Sequence, residues 1–182
     1  ILKHSLIENK KFFIFLNKNL KKILSLTSPF IEKAIYESCK IKKKIVEKDE
    51  KETALRKVLN FGHTFAHAYE AGLGYSHKLN HGEAVILGMK TALSFSFKEN
   101  MLSKSEYNLI INHIDNSGLP SSIKKYFSIS DLNKILSFMI KDKKNNSEKI
   151  NLVLLKEIVM PIFKKQYSKK KIDLFMKKFL TN

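Results

Sequence analysis

Few residues in this chain can stop a helix. Its 182 residues hold six glycines and three prolines. Long runs of apolar residues and lysine lie between them, so helix is the default local structure. Residues 9–26 read as one helix, and SPFIEKAIYESCKIKKKIV as a second, with Ser28 as a cap and Pro29 in its first turn. The acidic stretch EKDEKE suits an exposed turn or a helix start. A third helix is predicted over about 52–71, ending at Gly72 and Gly74. YSHKLNHG reads as a loop. A fourth helix is predicted over 83–99, with Met89, Ala92, Leu93 and Phe97 in the core. SKSEYNLIINHIDNSGLP reads as a fifth, capped at Ser103 or Ser105 and stopped by Gly118 and Pro120. SISDLNKILSFMIKDKKN is a sixth, KINLVLLKEIV a short strand, and IDLFMKKFL a last short helix. Hydrophobic residues make up 43% of the chain, and no linker or repeat divides it. Residues 1–182 are therefore expected to form one mainly α, multi-helix domain.

The formal net charge is +17. Such a charge can mark a nucleic-acid or membrane surface. Here the lysines are spread along the chain, and no basic motif is interleaved with aromatics. Lysine, isoleucine, asparagine and phenylalanine are all abundant, as an AT-rich coding bias produces. Bias accounts for the charge, so neither a nucleic acid nor a membrane is expected as partner. An anionic small molecule is compatible with it. The opening ILKHSLIENKKFFIFL is too short in apolar residues to span a membrane. It lacks a small-residue cleavage site and an initial methionine, and it reads as the inside of a larger protein. Cys39 is the sole cysteine, expected as a small buried residue in a reducing cytoplasm. His4 and His113 have no partner visible in sequence and are expected as surface or ordinary packed residues.

Of the 34 basic residues, only Arg56 is arginine. Lysine replaces arginine freely where solvated charge is all that matters. It does not where a planar fork must hold a carboxylate or phosphate through two parallel bonds. Arg56 is therefore a candidate anion clamp. It opens RKVLNFGHTFAHAYEAGLGYSHKLNHGE, which carries four of the six histidines. On a continuous third helix, Arg56, Asn60, His63, His67 and Glu70 would share one face. A polar stripe on an otherwise apolar helix is typical of a cleft wall. Histidines four residues apart can bind one metal, but HTFAH lacks the glutamate of the HExxH form. His77 and His81 add two further imidazoles. His63 with His81 is a plausible pair; spacing does not select which two of the four bind, or which carboxylate completes the set. Gly62, inside the predicted helix, costs about 1 kcal/mol relative to alanine, which a ligand or a second element close to the backbone would explain.

The run LRKVLNFGHTFAHAYEAGLGYSHKLNHGEAVILGM closely resembles the 3-dehydroquinate synthase signature: an arginine, LN-x-GH-T-x-x-HA-x-E, and a loop ending in HGEAV-x-x-GM. ILKHSLI resembles the segment after that family's glutamate zinc ligand, CKIKKKIVEKDEKE its IKA-x-VV-x-x-DE segment, and MIKDKKNNSEKINLVLL its DKK segment. The resemblance implies a fold, the helical C-terminal domain of the dehydroquinate synthase-like fold. The N-terminal Rossmann-like NAD domain is not matched, and no Gly-rich phosphate loop occurs here. It also implies roles by position. His63 and His81 match the two histidine zinc ligands. The third ligand is a glutamate in an E-x-x-K motif whose lysine is Lys3, which would put the glutamate immediately before Ile1. Lys3, Lys42, Arg56, Asn60 and His67 match residues that contact the substrate. One lysine of Lys143-Lys144, with Lys144 preferred, matches a phosphate-site lysine. His77 falls in the variable loop and is not expected to be a ligand. Ala66 stands where the family commonly has glycine, and NNSEKI lacks the glycine usual in its turn.

The implied function is that of 3-dehydroquinate synthase, a phosphorus–oxygen lyase of the shikimate pathway of aromatic amino-acid biosynthesis. It converts 3-deoxy-D-arabino-heptulosonate 7-phosphate to 3-dehydroquinate and phosphate. NAD and a divalent metal, zinc or cobalt, are the implied cofactors. A homodimer and a cytoplasmic location are expected, as is inactivity of this chain by itself. Two related readings stand beside it: a sugar-phosphate cyclase of the 2-deoxy-scyllo-inosose synthase type, and a metal-dependent polyol dehydrogenase. A carboxylate clamp favours dehydroquinate synthase. A basic helical nucleic-acid-binding module is the reading from a different class.

Overall fold

A computed structural model of the chain describes residues 1–141 and 149–181. Nine α-helices can be followed among them: α1 (Leu2–Glu8), α2 (Lys10–Lys18), α3 (Leu20–Leu24), α4 (Phe30–Lys48), α5 (His63–Gly72), α6 (His81–Lys98), α7 (Lys104–Asp115), α8 (Leu132–Lys141) and α9 (Lys169–Thr181). Four short strands complete the fold: β1 (Lys149–Asn151), β2 (Leu154–Glu157), β3 (Met160–Ile162) and β4 (Gln166–Ser168). β1 pairs antiparallel with β4, and β2 with β3. The mainly α reading holds.

Helix α6 is the centre, and its composition explains why. Leu87, Met89, Ala92, Leu93 and Phe95 are all at most 1% exposed, and a helix apolar on several sides must be covered on several sides. Helix α4 shows the opposite pattern. Its buried residues, Ala34, Ser38, Ile41 and Ile45, follow a 3.6-residue period, and the lysines between them face water. Two polar contacts register the layers. Ser96 Oγ accepts from the Leu155 amide at 3.2 Å, tying β2 to α6. Thr64 Oγ1 donates to the Asn151 carbonyl at 3.2 Å, tying α5 to β1.

Several local expectations change. Residues 9–26 form two helices, because Asn19 interrupts them: its amide and its Nδ2 both donate to the Phe15 carbonyl, the side-chain competition that ends helices. Helix α1 precedes them and was not anticipated. Ser28 does not cap α4, since Pro29 occupies the N-cap position and no side chain bonds there. Ser103 does cap α7, accepting from the Glu106 amide at 3.3 Å. Phe97 is 36% exposed and stacks on Tyr107 instead of entering the core. Cys39 is exposed, because it lies off the buried stripe of α4. The KINLVLLKEIV run is two strands, β1 and β2.

The largest change concerns the third predicted helix. A 3-10 helix over Leu55–Asn60 comes first, the chain then turns, and α5 starts afresh at His63. Gly62 makes the turn at φ +84°, a region costly for any residue with a Cβ. Two backbones also meet here. A Cβ on Gly62 would lie 2.7 Å from the Met89 nitrogen, and one on Gly88 would lie 2.2 Å from the Gly62 carbonyl oxygen. The anticipated second element near Gly62 is therefore α6. Arg56 and Asn60 do not share a helical face with His63, His67 and Glu70.

Two predictions follow from this packing. Gly88→Ala should destabilise the protein by about 3 kcal/mol or prevent folding, because the atoms in the way are backbone and cannot rotate aside; urea unfolding measures it. The second concerns His113, which is 5% exposed. Its Nδ1 lies 3.1 Å from Asn17 Oδ1 and its ring meets Phe13 edge-on. Burial pulls its pKa from 6.5 to about 4. The unfolded chain thus binds a proton between those values that the folded chain refuses. The His113 contribution to stability should be complete above pH 6.5 and lost as pH falls through about 4. An NMR titration of the ring should show its midpoint near 4, against near 6.5 in urea.

Candidate active site

The 3-10 helix is held in place by one carboxylate. Asp49 accepts from the amides of Thr53, Ala54 and Arg56 and from the Thr53 hydroxyl, at 2.8–3.0 Å. Those bonds, that from Arg56 first, hold its pKa at about 2, so it is charged at neutral pH. This staple fixes the backbone on which Arg56, Lys57 and Asn60 follow. The start of α6 is fixed in a similar way: Asn80 and Glu83 form a reciprocal capping box, which sets His81 in the first turn.

The break at Gly62 and the crossing with α6 gather three imidazoles. Ring centroids of His63 and His81 are 5.8 Å apart, those of His63 and His67 5.6 Å, and those of His67 and His81 6.2 Å. In His63, Nδ1 faces the Phe61 carbonyl at 3.3 Å. In His81, Nδ1 is 2.9 Å from Glu70 Oε1. A carbonyl and an ionised carboxylate can only accept, so each Nδ1 carries a hydrogen, and in the neutral form of either ring Nε2 keeps its lone pair. A cation already approaches one of them: the Lys3 ammonium lies 3.5 Å from His63 Nε2. Burial first, then Lys3, lowers the His63 pKa to about 4, which leaves the ring neutral as a metal ligand requires. Two imidazoles on one tetrahedral zinc have centroids about 5 Å apart. The donor chemistry and spacing of His63 and His81 therefore fit two ligand positions. Among the described residues, no three His, Cys, Asp or Glu side chains form a complete ligand set.

Two clefts meet at His63. One, of about 350 Å³, is lined by Lys3, His4, Lys42, His63 and His81 among others. Burial first, then the neighbouring Lys42, lowers the Lys3 pKa to about 8. The second, of about 480 Å³, is lined by Glu52, Lys57, Asn60, His63, His67 and Lys164 among others. The structure thus brings Lys3, Lys42, His63 and His81 together on one side, and Asn60 and His67 with His63 on the other. Arg56 is among the lining residues of neither cleft, and its Nη1 donates to the Glu50 carbonyl at 2.6 Å. Lys143 and Lys144 lie outside the described residues. Sequence reasoning missed Lys57, Lys164 and Glu52, whose carboxylate accepts from Asn60 Nδ2 at 2.8 Å. Lys57 could have been found from its place beside Arg56. Lys164 follows β3 and reaches the cleft only through tertiary packing. Outside the cluster, His4 lines the first cleft with its Nδ1 2.7 Å from Ser38 Oγ, His77 is exposed, and His113 lies in the core.

The chain is similar to known proteins in both sequence and fold. The family model described as 3-dehydroquinate synthase C-terminal matches residues 1–145. The 3-dehydroquinate synthase of Pelagibacter ubique (strain HTCC1062) is 64% identical over 181 residues, which is 100% of this chain and 49% of that protein. That of Bradyrhizobium diazoefficiens is 34% identical, over 99% of this chain and 48% of that protein. The chain spans about half the length of the curated relatives it matches. In fold it is similar to a 2-epi-5-epi-valiolone synthase from Streptomyces hygroscopicus subsp. jinggangensis 5008, solved with NAD+ and Zn2+ bound. The TM-score is 0.81 at 17% identity, over 98% of this chain and 48% of that one. It is also similar to a 2-deoxy-scyllo-inosose synthase complexed with carbaglucose-6-phosphate, NAD+ and Co2+. There the TM-score is 0.78 at 20% identity, over 97% of this chain and 50% of that one. With its signature histidines clustered at the meeting of two lysine-bearing clefts, the chain belongs to the 3-dehydroquinate synthase C-terminal family.

Proposed function

We propose that this chain is the metal- and substrate-holding part of a 3-dehydroquinate synthase. The reaction is conversion of 3-deoxy-D-arabino-heptulosonate 7-phosphate to 3-dehydroquinate and inorganic phosphate. One observation carries the reading. His63 and His81 stand 5.8 Å apart with both Nδ1 atoms engaged, at the junction of two clefts that each carry lysines.

In this reading His63 and His81 hold a divalent cation, zinc or cobalt, and NAD binds in the part of the enzyme that this chain does not span. The cation supplies Lewis acidity toward a substrate hydroxyl, and NAD supplies reversible hydride acceptance. The chain's own residues bind and orient. Lys3 and Lys42 lie close enough for Lys42 to help lower the Lys3 pKa, so an anion between them relieves repulsion as it binds. Asn60 and His67, with Lys57 and Lys164, line the other cleft and receive the substrate's phosphate, with Lys144 as a further phosphate contact. Arg56 uses one of its donors on the Glu50 carbonyl; the rest of its fork is assigned to the substrate carboxylate. Anchoring both anionic ends holds the sugar ring beside His63, so much of the rate enhancement is positional.

The complete enzyme should release phosphate from the heptulosonate 7-phosphate only when both NAD and a divalent cation are present. Release that survives exhaustive chelation would reject the reading. Turnover of glucose 6-phosphate in place of the carboxylate-bearing substrate would instead make it an inosose-type cyclase. In the same assay Arg56→Lys should lower kcat/KM at least about tenfold, because the charge remains while the fork is lost. An unchanged value would remove Arg56 from the site.

A further inference from the structure

Glu70 has no role in the reading above, yet its position is specific. It lies on α5 seven residues after His63, on the same side of that helix. Its side chain is 14% exposed and its Oε1 accepts from His81 Nδ1 at 2.9 Å, while the His81 side chain is 61% exposed. A largely buried carboxylate thus grips one nitrogen of a largely exposed ring. The backbone under that ring is already set by the Asn80–Glu83 capping box. What the box leaves open is rotation of the imidazole and the choice of tautomer, and the contact with Glu70 limits both. The same pattern recurs at His63, where the Phe61 carbonyl faces Nδ1 and Nε2 faces the Lys3 ammonium.

We propose that Glu70 is a positioning residue for the metal site: it holds His81 in the Nδ1–H tautomer, with the Nε2 lone pair directed at the cation that His63 and His81 share. The proposal rests on the metal reading of the previous subsection. A carboxylate behind a ligating imidazole orients the ring and raises its basicity, and its loss typically weakens metal binding by about 10- to 100-fold. Glutamine can still accept from Nδ1–H through its amide oxygen, but without the negative charge, so it should restore part of what alanine loses.

The test uses the complete enzyme and Co2+, with affinity measured by competition against a chelator. Wild type, His81→Ala, Glu70→Ala and Glu70→Gln are compared, with circular dichroism to confirm folding. Glu70→Ala should weaken cobalt binding about 10- to 100-fold and Glu70→Gln by less. In metal-free protein, long-range 1H–15N correlation spectra should show His81 as the Nδ1–H tautomer in wild type and Glu70→Gln, and mixed or Nε2–H in Glu70→Ala. If His81→Ala weakens cobalt binding but both Glu70 variants stay within twofold of wild type, the positioning role fails and the metal reading stands. If wild type and His81→Ala bind cobalt equally poorly, the metal reading fails and takes this proposal with it. Should Glu70→Ala not fold, Glu70→Gln decides by itself: wild-type affinity with an Nε2–H ring would overturn the assignment.

Discussion

The site depends on two backbones being allowed to touch. Where α5 begins, Gly62 and Gly88 present bare Cα atoms to each other's chains, and a Cβ on either would run into main-chain atoms of the other segment. The approach sets the separation of α5 and α6 near their N-terminal ends, the ends that carry His63 and His81. Spreading the helices by the width of a methyl group would carry the two imidazoles apart. Gly62 has a second duty. Its left-handed conformation ends the 3-10 helix and re-aims the chain, so Asn60 lines one cleft wall and His63 stands where the two clefts join. Buried hydrogen bonds reinforce the contact farther along, with Tyr69 and Thr91 paired at 2.8 Å between α5 and α6.

Electrostatics then divides the surrounding residues by task. Burial and a nearby ammonium keep His63 neutral, the state in which an imidazole donates a lone pair. Lys3 is pulled toward neutrality by burial and by Lys42, so this corner holds more positive charge than it can stabilise unaided. An anion is the natural complement. The carboxylates near the site are already engaged: Asp49 is taken up by backbone amides, Glu70 accepts from His81 and Glu52 from Asn60. The general excess of lysine in the chain is a matter of composition, whereas these particular lysines line the clefts at the histidines.

Much of this was legible before any coordinates. Helices α4, α6, α7, α8 and α9 fall near their expected places, because apolar periodicity is a local property. The end of α5 at Gly72 and the Ser103 cap of α7 follow from residue chemistry. The importance of 56–83 was visible in its odd composition, a lone arginine and a set of histidines in a lysine-rich chain. Errors came where tertiary contact overrides the local pattern. Residues 52–71 look like one helix because their spacing is helical, but the crossing with α6 places Gly62 where a continuous helix cannot run. Phe97 looked like core by composition and lies at the surface. Cys39 looked buried by residue type, yet the stripe it would have to join passes to one side of it.

By itself, the sequence determined the mainly helical class, the segment that matters and the chemical kinds of its donors, since these follow from residue types and short-range spacing. Only the tertiary structure decided which donors stand together. His63 and His81 are eighteen residues apart, Lys3 and His63 sixty, and Lys164 comes from a strand turn beyond β3. Their convergence depends on how α1, α5, α6 and the C-terminal strands pack, and packing is set by the shapes of buried faces in contact, which no local spacing encodes. The same physics turned the arginine side chain toward the Glu50 carbonyl and placed a carboxylate behind His81, neither of which could be read from residue order.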